Sequence, residues 1–184
     1  STLERLDEDV KRVAREDTEL IKESEERTKK SADDVRKKIE DSRRTTDKVV
    51  TDVEDIIEKK REDKRVLKEV VDELRRRLEE LNRRLREVVE EHKDSLRKAN
   101  RDLEESSRRS EERLRRVIET LRRNNVSRVE ELAEKLKELL KDSERRVDEH
   151  RRKSEESTRE IEELVKRHED RSRELIKRLD EEVR

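Results

Sequence analysis

Aliphatic residues recur along the chain at alternating steps of three and four, the spacing that gathers side chains on one helical face. A first stripe runs from Leu3, Leu6, Val10, Val13 and Leu20 through Ser24, Thr28 and Ser31 to Val35, Ile39, Ser42, Thr46, Val49, Val53 and Ile56. A second runs from Leu67, Val70, Leu74 and Leu78 through Val88, His92 and Leu96 to Leu121. A third leads from Val129, Leu132, Leu136 and Leu139 through Ser143, His150 and Ser154 to Ile176, Leu179 and Val183. Between Leu67 and Leu121 the stripe takes 15 steps over 54 residues, about 3.6 per step, the period of a straight helix rather than of a left-handed supercoil. The pattern predicts nearly straight helices of about 55–60 residues, each roughly 85–90 Å long.

Two places interrupt the stripes. Asn124-Asn125 follows Leu121, and asparagine tolerates the left-handed backbone of helix ends. Ser127 stands three residues before Glu130, the spacing of a capping box, as do Ser1 and Glu4. Near Lys60 and Asp63 the stripe positions become charged, and Asp63 is a candidate N-cap. The stripe phase nearly continues there, so one uninterrupted first helix is the alternative to a turn. Ser31-Ala32-Asp33-Asp34 also resembles a helix start, but the apolar phase runs through it undisturbed. The expected fold class is all-α: an up-down-up bundle of three long, nearly straight antiparallel helices. It forms a single domain over 1–184, with helices at about 2–61, 64–123 and 127–183.

Composition at first points elsewhere. Of 184 residues, 59% are charged and 26% hydrophobic, proportions that suggest disorder. The net charge of -1 removes the self-repulsion, and the stripes supply an order that disordered tails lack. Gly, Pro, Cys, Met, Trp, Tyr and Phe are all absent, although ordinary proteins carry about 7% Gly and about 5% Pro. Helix interiors therefore keep full propensity, and the core is left to Leu, Val, Ile and a few Ala.

Ser, Thr, Asn and His also occupy stripe positions, where an unpaired buried polar group costs about 1–3 kcal/mol. Turns near 63 and 125 would bring these residues together across helices. Asn100 falls near Ser24, Thr28 and His150. His92 and Ser95 fall near Ser31, Ser154 and Thr158. Asn82 falls near Thr45, Thr46 and His168, and Ser106 and Ser107 fall near Thr18 and Ser143. Each histidine then meets polar residues on both other helices, which favours the turn at 63 over a continuous helix.

With its all-aliphatic core, charged surface and repeated polar layers, the chain resembles designed helical bundles with buried hydrogen-bond networks. The resemblance covers the whole chain and rests on pattern rather than on a motif. It implies that the layers set helix register, because a slipped alignment leaves donors and acceptors unpaired. The chain departs from that family in having no Gln, Trp or Tyr and no glycine in its turns.

Chemistry finds little foothold. The three histidine levels stand roughly 12–15 Å apart along the axis, whereas zinc ligands meet one ion within about 2.1 Å. There is no nucleophile motif and no Gly-rich phosphate loop, and surface carboxylates are too numerous to be specific. The expectation is therefore no enzyme, no cofactor and no metal. Without a basic face or aromatics, nucleic acid is an unsuited partner. No apolar run reaches the roughly 18 residues of a membrane span, and no targeting signal is evident, so a soluble chain suited to recombinant cytoplasmic expression is expected. No partner is required, and a monomer is expected with a homo-oligomer as the alternative. The leading functional expectation is a designed structural scaffold whose polar layers specify register. One alternative is a self-associating bundle, or an adaptor similar to a spectrin-type repeat; another is a pH-responsive element built on the core histidines.

Overall fold

The structure, a computed structural model, describes residues 2–124 and 127–184. Three helices account for nearly all of them: α1 (Thr2–Lys59), α2 (Lys64–Arg123) and α3 (Val129–Val183). Among the described residues there is no strand. The late part of α1 packs on the early part of α2 and the late part of α3. The late part of α2 packs on the early parts of α1 and α3. The arrangement is thus an up-down-up bundle, with α1 and α3 parallel and α2 opposed to both.

The turns form without glycine. Asp63 N donates to Lys60 O at 3.0 Å, closing a tight turn that ends α1 at Lys59, two residues short of the expected limit. Asp63 then caps α2: its carbonyl accepts from Leu67 N, and its side chain accepts from Val66 N at 3.3 Å, which occupies a donor the first helical turn would leave free. At the second turn α3 begins at Val129, not at 127. Arg128 holds φ at 66°, and its carbonyl accepts from Leu132 N, so Arg128 rather than Ser127 stands at the cap. Glu130 does not complete the expected box; its carboxylate takes two hydrogen bonds from Arg122, at 3.2 and 3.3 Å. The Ser1 cap and Asn125 lie outside the described residues, as do the side chains of Leu3 and Leu6.

Where the stripe offers two adjacent aliphatics, the structure turns the second one further inward. Ile21, Val50, Ile57, Val71 and Val89 are buried, in place of the expected Leu20, Val49, Ile56, Val70 and Val88. Leu20, Ile56 and Leu139 remain about two-fifths exposed, at 43%, 39% and 39%. Neighbours on a helix differ by about 100°, so both members flank the stripe's centre and packing chooses between them.

The packing divides into two compact units, each with a stretch of every helix. The first comprises the chain up to Lys30 together with Asp94–Glu156. Its core gathers Val10, Val13, Leu114, Leu121, Leu132 and Leu136, with a smaller cluster of Ile21, Leu103 and Val147. The second comprises Ser31–Lys93 and Ser157–Arg184. It holds one cluster around Val53, Val71, Leu74, Leu78 and Leu179 and another around Val35, Ile39, Leu85, Val89 and Ile161. Within this unit three ion pairs, Arg36–Glu160, Arg171–Asp47 and Arg178–Glu54, all join residues 124 apart, which gives the parallel offset of α1 and α3.

Candidate functional site

The polar residues of the stripes are the chemically distinctive part of the interior. In the second unit His168 of α3 bridges the other two helices. Its Nδ1 lies 3.0 Å from Asn82 Oδ1 on α2, and its Nε2 lies 3.3 Å from Thr46 Oγ1 on α1. A carbonyl oxygen only accepts, so Nδ1 carries the hydrogen and Nε2 accepts from the threonine hydroxyl. Ser172 Oγ, one turn along α3, donates to the His168 carbonyl at 2.9 Å. Next to this level Arg86 grips the buried Glu169 carboxylate with two hydrogen bonds, of 2.5 and 2.7 Å.

His92 has a simpler set. Its Nδ1 meets Ser31 Oγ at 2.6 Å, while its buried Nε2 has no hydrogen-bond partner. Ser42 Oγ in the same unit is likewise buried and unpartnered. In the first unit His150 Nε2 lies 3.0 Å from Ser24 Oγ, and Ser154 Oγ donates back to the His150 carbonyl at 2.9 Å.

Further toward the start of α1, Thr18 donates to its own helix at Ala14 O and accepts from Arg146 Nη1 at 3.1 Å. Ser110 donates to Asp17 at 3.2 Å. Ser143 Oγ is buried without a partner.

Several expected layer residues sit elsewhere. Thr45 is exposed and donates to Asp41 O in its own helix. Ser95 is exposed as well. Both lie beside the stripe rather than on its inner line, so neither belongs to a buried layer. Thr28, Asn100, Ser106, Ser107 and Thr158 are half-buried. The Arg86–Glu169 and Asp17–Ser110 pairs lie outside the layers expected from the sequence. Glu169 directly follows a stripe histidine, and Asp17 precedes Thr18; that adjacency was the available signal, lost among so many surface acids.

Burial sets the electrostatics. All three histidines are held below the ordinary imidazole pKa, chiefly by desolvation of the charged form. Arg36 adds to this at His92. At His150 Glu25 opposes it and Lys153 adds to it. At His168 the Ser42 backbone favours the charged ring and so opposes it, with Glu169 and Asp47, while Arg171 adds to it. The Asp17 carboxyl is raised, mainly by burial and partly by Glu16, against the Ser110 hydrogen bond. Glu169 is lowered by its hydrogen bond from Arg86. Among the described residues no three His, Cys, Asp or Glu side chains converge as metal ligands, and no helix is long and apolar enough to cross a membrane.

The chain is similar in structure to a computationally designed three-helix bundle. The match has a TM-score of 0.84 at 17% sequence identity and covers 99% of this chain and 90% of that one. No protein-family model and no curated protein sequence matches the chain.

Proposed function

We propose that the chain is an engineered structural scaffold without catalytic activity, in which buried polar layers specify the register of three helices. The His168 bridge carries this reading. One ring joins Asn82 of α2 to Thr46 of α1, and a slip of either helix by one residue would leave those groups unpaired at a cost of about 1–3 kcal/mol each. The likeness to a designed bundle, the absent residue types and the aliphatic core support the same reading. On this reading the chain works in water as a monomer and needs no cofactor, nucleic acid or membrane.

The test exploits the absence of cysteine. Nitroxides attached through Lys48→Cys and Lys166→Cys, both at exposed positions of the second unit, report the α1–α3 distance by pulsed electron resonance. The parent should give one narrow distribution. The triple variant Thr46→Val, Asn82→Leu, His168→Leu should remain helical and give a broader one. Equal widths would sink the register role. A second reading, a self-associating bundle that responds to pH, draws on the three buried neutral histidines and on the exposed Leu139. A light-scattering mass above that of one chain at neutral pH, falling on acidification, would favour it.

A further inference from the structure

In the first unit an open groove runs between the last turns of α2 and the first turns of α3. Leu114 and Leu136 are buried at its floor. Ile118, Ala133 and Leu140 lie half-buried beside them. Both rims are charged. The α2 rim reads Glu111, Arg115, Glu119, Arg122, and the α3 rim reads Glu130, Glu134, Lys137, Lys141, with Glu144 beyond. Apart from Glu111 these residues are exposed.

Each row is its own complement when reversed. Turned end for end, the α2 row sets Glu111 against Arg122 and Arg115 against Glu119. The α3 row sets Glu130 against Lys141 and Glu134 against Lys137, and Glu144 meets the uncharged Ser127. The first row reverses about Val117, the second about the Lys135–Leu136 step. Arg122 and Glu130 each stand about five residues from these centres, toward the turn, and are hydrogen-bonded to each other. The two centres therefore lie at one height, and a single two-fold axis perpendicular to the helices satisfies both rows. A two-fold parallel to the helices would instead lay Arg115 on Lys137 and Glu119 on Glu134, where like charges repel.

We propose that this groove is a docking surface for a second copy of the chain, with α2 packed on α2 and α3 on α3, each pair antiparallel about that axis. Such an interface needs one self-complementary patch, which the two rims and the aliphatic floor between them supply. The paired rows span about 18 Å of each helix. Across two helices about 10 Å wide that is on the order of 400 Å² per copy, the size of a transient contact. The monomer of the scaffold reading is the dilute species, and the pairing makes no use of the polar layers.

Analytical ultracentrifugation of the intact chain from about 10 μM to about 1 mM covers the range of weak association. The average mass should rise toward that of two chains, less so at high salt. Arg115→Glu with Lys137→Glu puts like charges together on both rims and should weaken pairing at least about tenfold, with helicity unchanged. Adding Glu119→Arg and Glu134→Lys exchanges the partners and should restore pairing to within about threefold of the parent. Leu139→Ser, on the groove between α1 and α3, should leave the pairing as it was. The proposal is overturned if the chain stays a monomer at about 1 mM, or if the reversed-charge variant pairs as well as the parent. It is equally overturned if the exchanged variant remains a monomer, or if Leu139→Ser abolishes the pairing.

Discussion

His92 and His168 occupy equivalent stripe positions on different helices, yet their neighbours give them opposite worth. His168 uses both ring nitrogens, across two helices. His92 leaves a buried Nε2 unpaired, which costs about 1–3 kcal/mol. Replacing it with leucine removes that penalty, and its partner Ser31 is half-buried and can turn to water. His92→Leu should therefore raise stability by about 1 kcal/mol, and His168→Leu should lower it by about 1 kcal/mol as Asn82 loses its partner. Urea unfolding of the two variants checks the opposed signs; a shared sign would refute this assignment of hydrogen bonds. Arg86→Ala should cost about 2 kcal/mol, because it strands the buried Glu169 carboxylate. The same unfolding measurement, repeated with Glu169→Gln in that background, should recover part of the loss. No recovery would mean that the arginine acts only through packing.

At the scale of the helices, propensity and periodicity explain why three long elements form, and capping explains where they stop. The α1–α2 turn relies on Asp63, a residue type legible in advance as a cap. The α2–α3 turn relies on a backbone conformation that no residue type there advertised. Arg128 at φ 66° carries a left-handed strain of about 1–2 kcal/mol, which glycine avoids. Arg128→Gly should therefore leave helicity unchanged and stabilise by up to about 1 kcal/mol, after the entropy that glycine adds to the unfolded chain. A loss of stability in thermal melts would show that the Arg128 side chain makes a contribution larger than the strain. The doublets teach a related lesson. Val70 and Val71 are equally apolar, but Val71 enters the core of its unit while Val70 packs at its margin. Both point within one stripe, and the positions of the two neighbouring helices select the inner one.

For the molecule as a whole, the buried histidines link folding to pH. Their folded pKa values lie below the unfolded value of about 6.5, so in between the unfolded chain binds more protons. Stability is then full above about pH 6.5 and falls as pH drops, by at most about 1.4 kcal/mol per histidine per pH unit. Two carboxyls also contribute. Asp17, raised by burial, contributes stability that is lost as pH rises through its folded pKa. The contribution of Glu169, lowered by Arg86, is lost as pH falls through its folded pKa, below the usual 4.5. Below about pH 6.5 the three histidines act in one direction, against Asp17 alone. Urea midpoints should stay level from about pH 7.5 to 6.5 and fall from there to about pH 5, and a flat profile throughout would overturn this linkage. By itself the sequence determined that the chain is helical, that Asp63 and Asn124-Asn125 mark candidate interruptions, and which broad face of each segment turns inward. Those are local matters of propensity, capping and the helical period, carried by each segment alone. Only the tertiary structure decided which member of each aliphatic doublet is buried, that Arg128 takes a left-handed turn, and that His168 is fully partnered while His92 and Ser143 are not. Such outcomes depend on the separation and rotation of helices that are distant in sequence. A shift of an ångström there separates a hydrogen bond from an orphan, and a stripe that repeats every few residues cannot encode it.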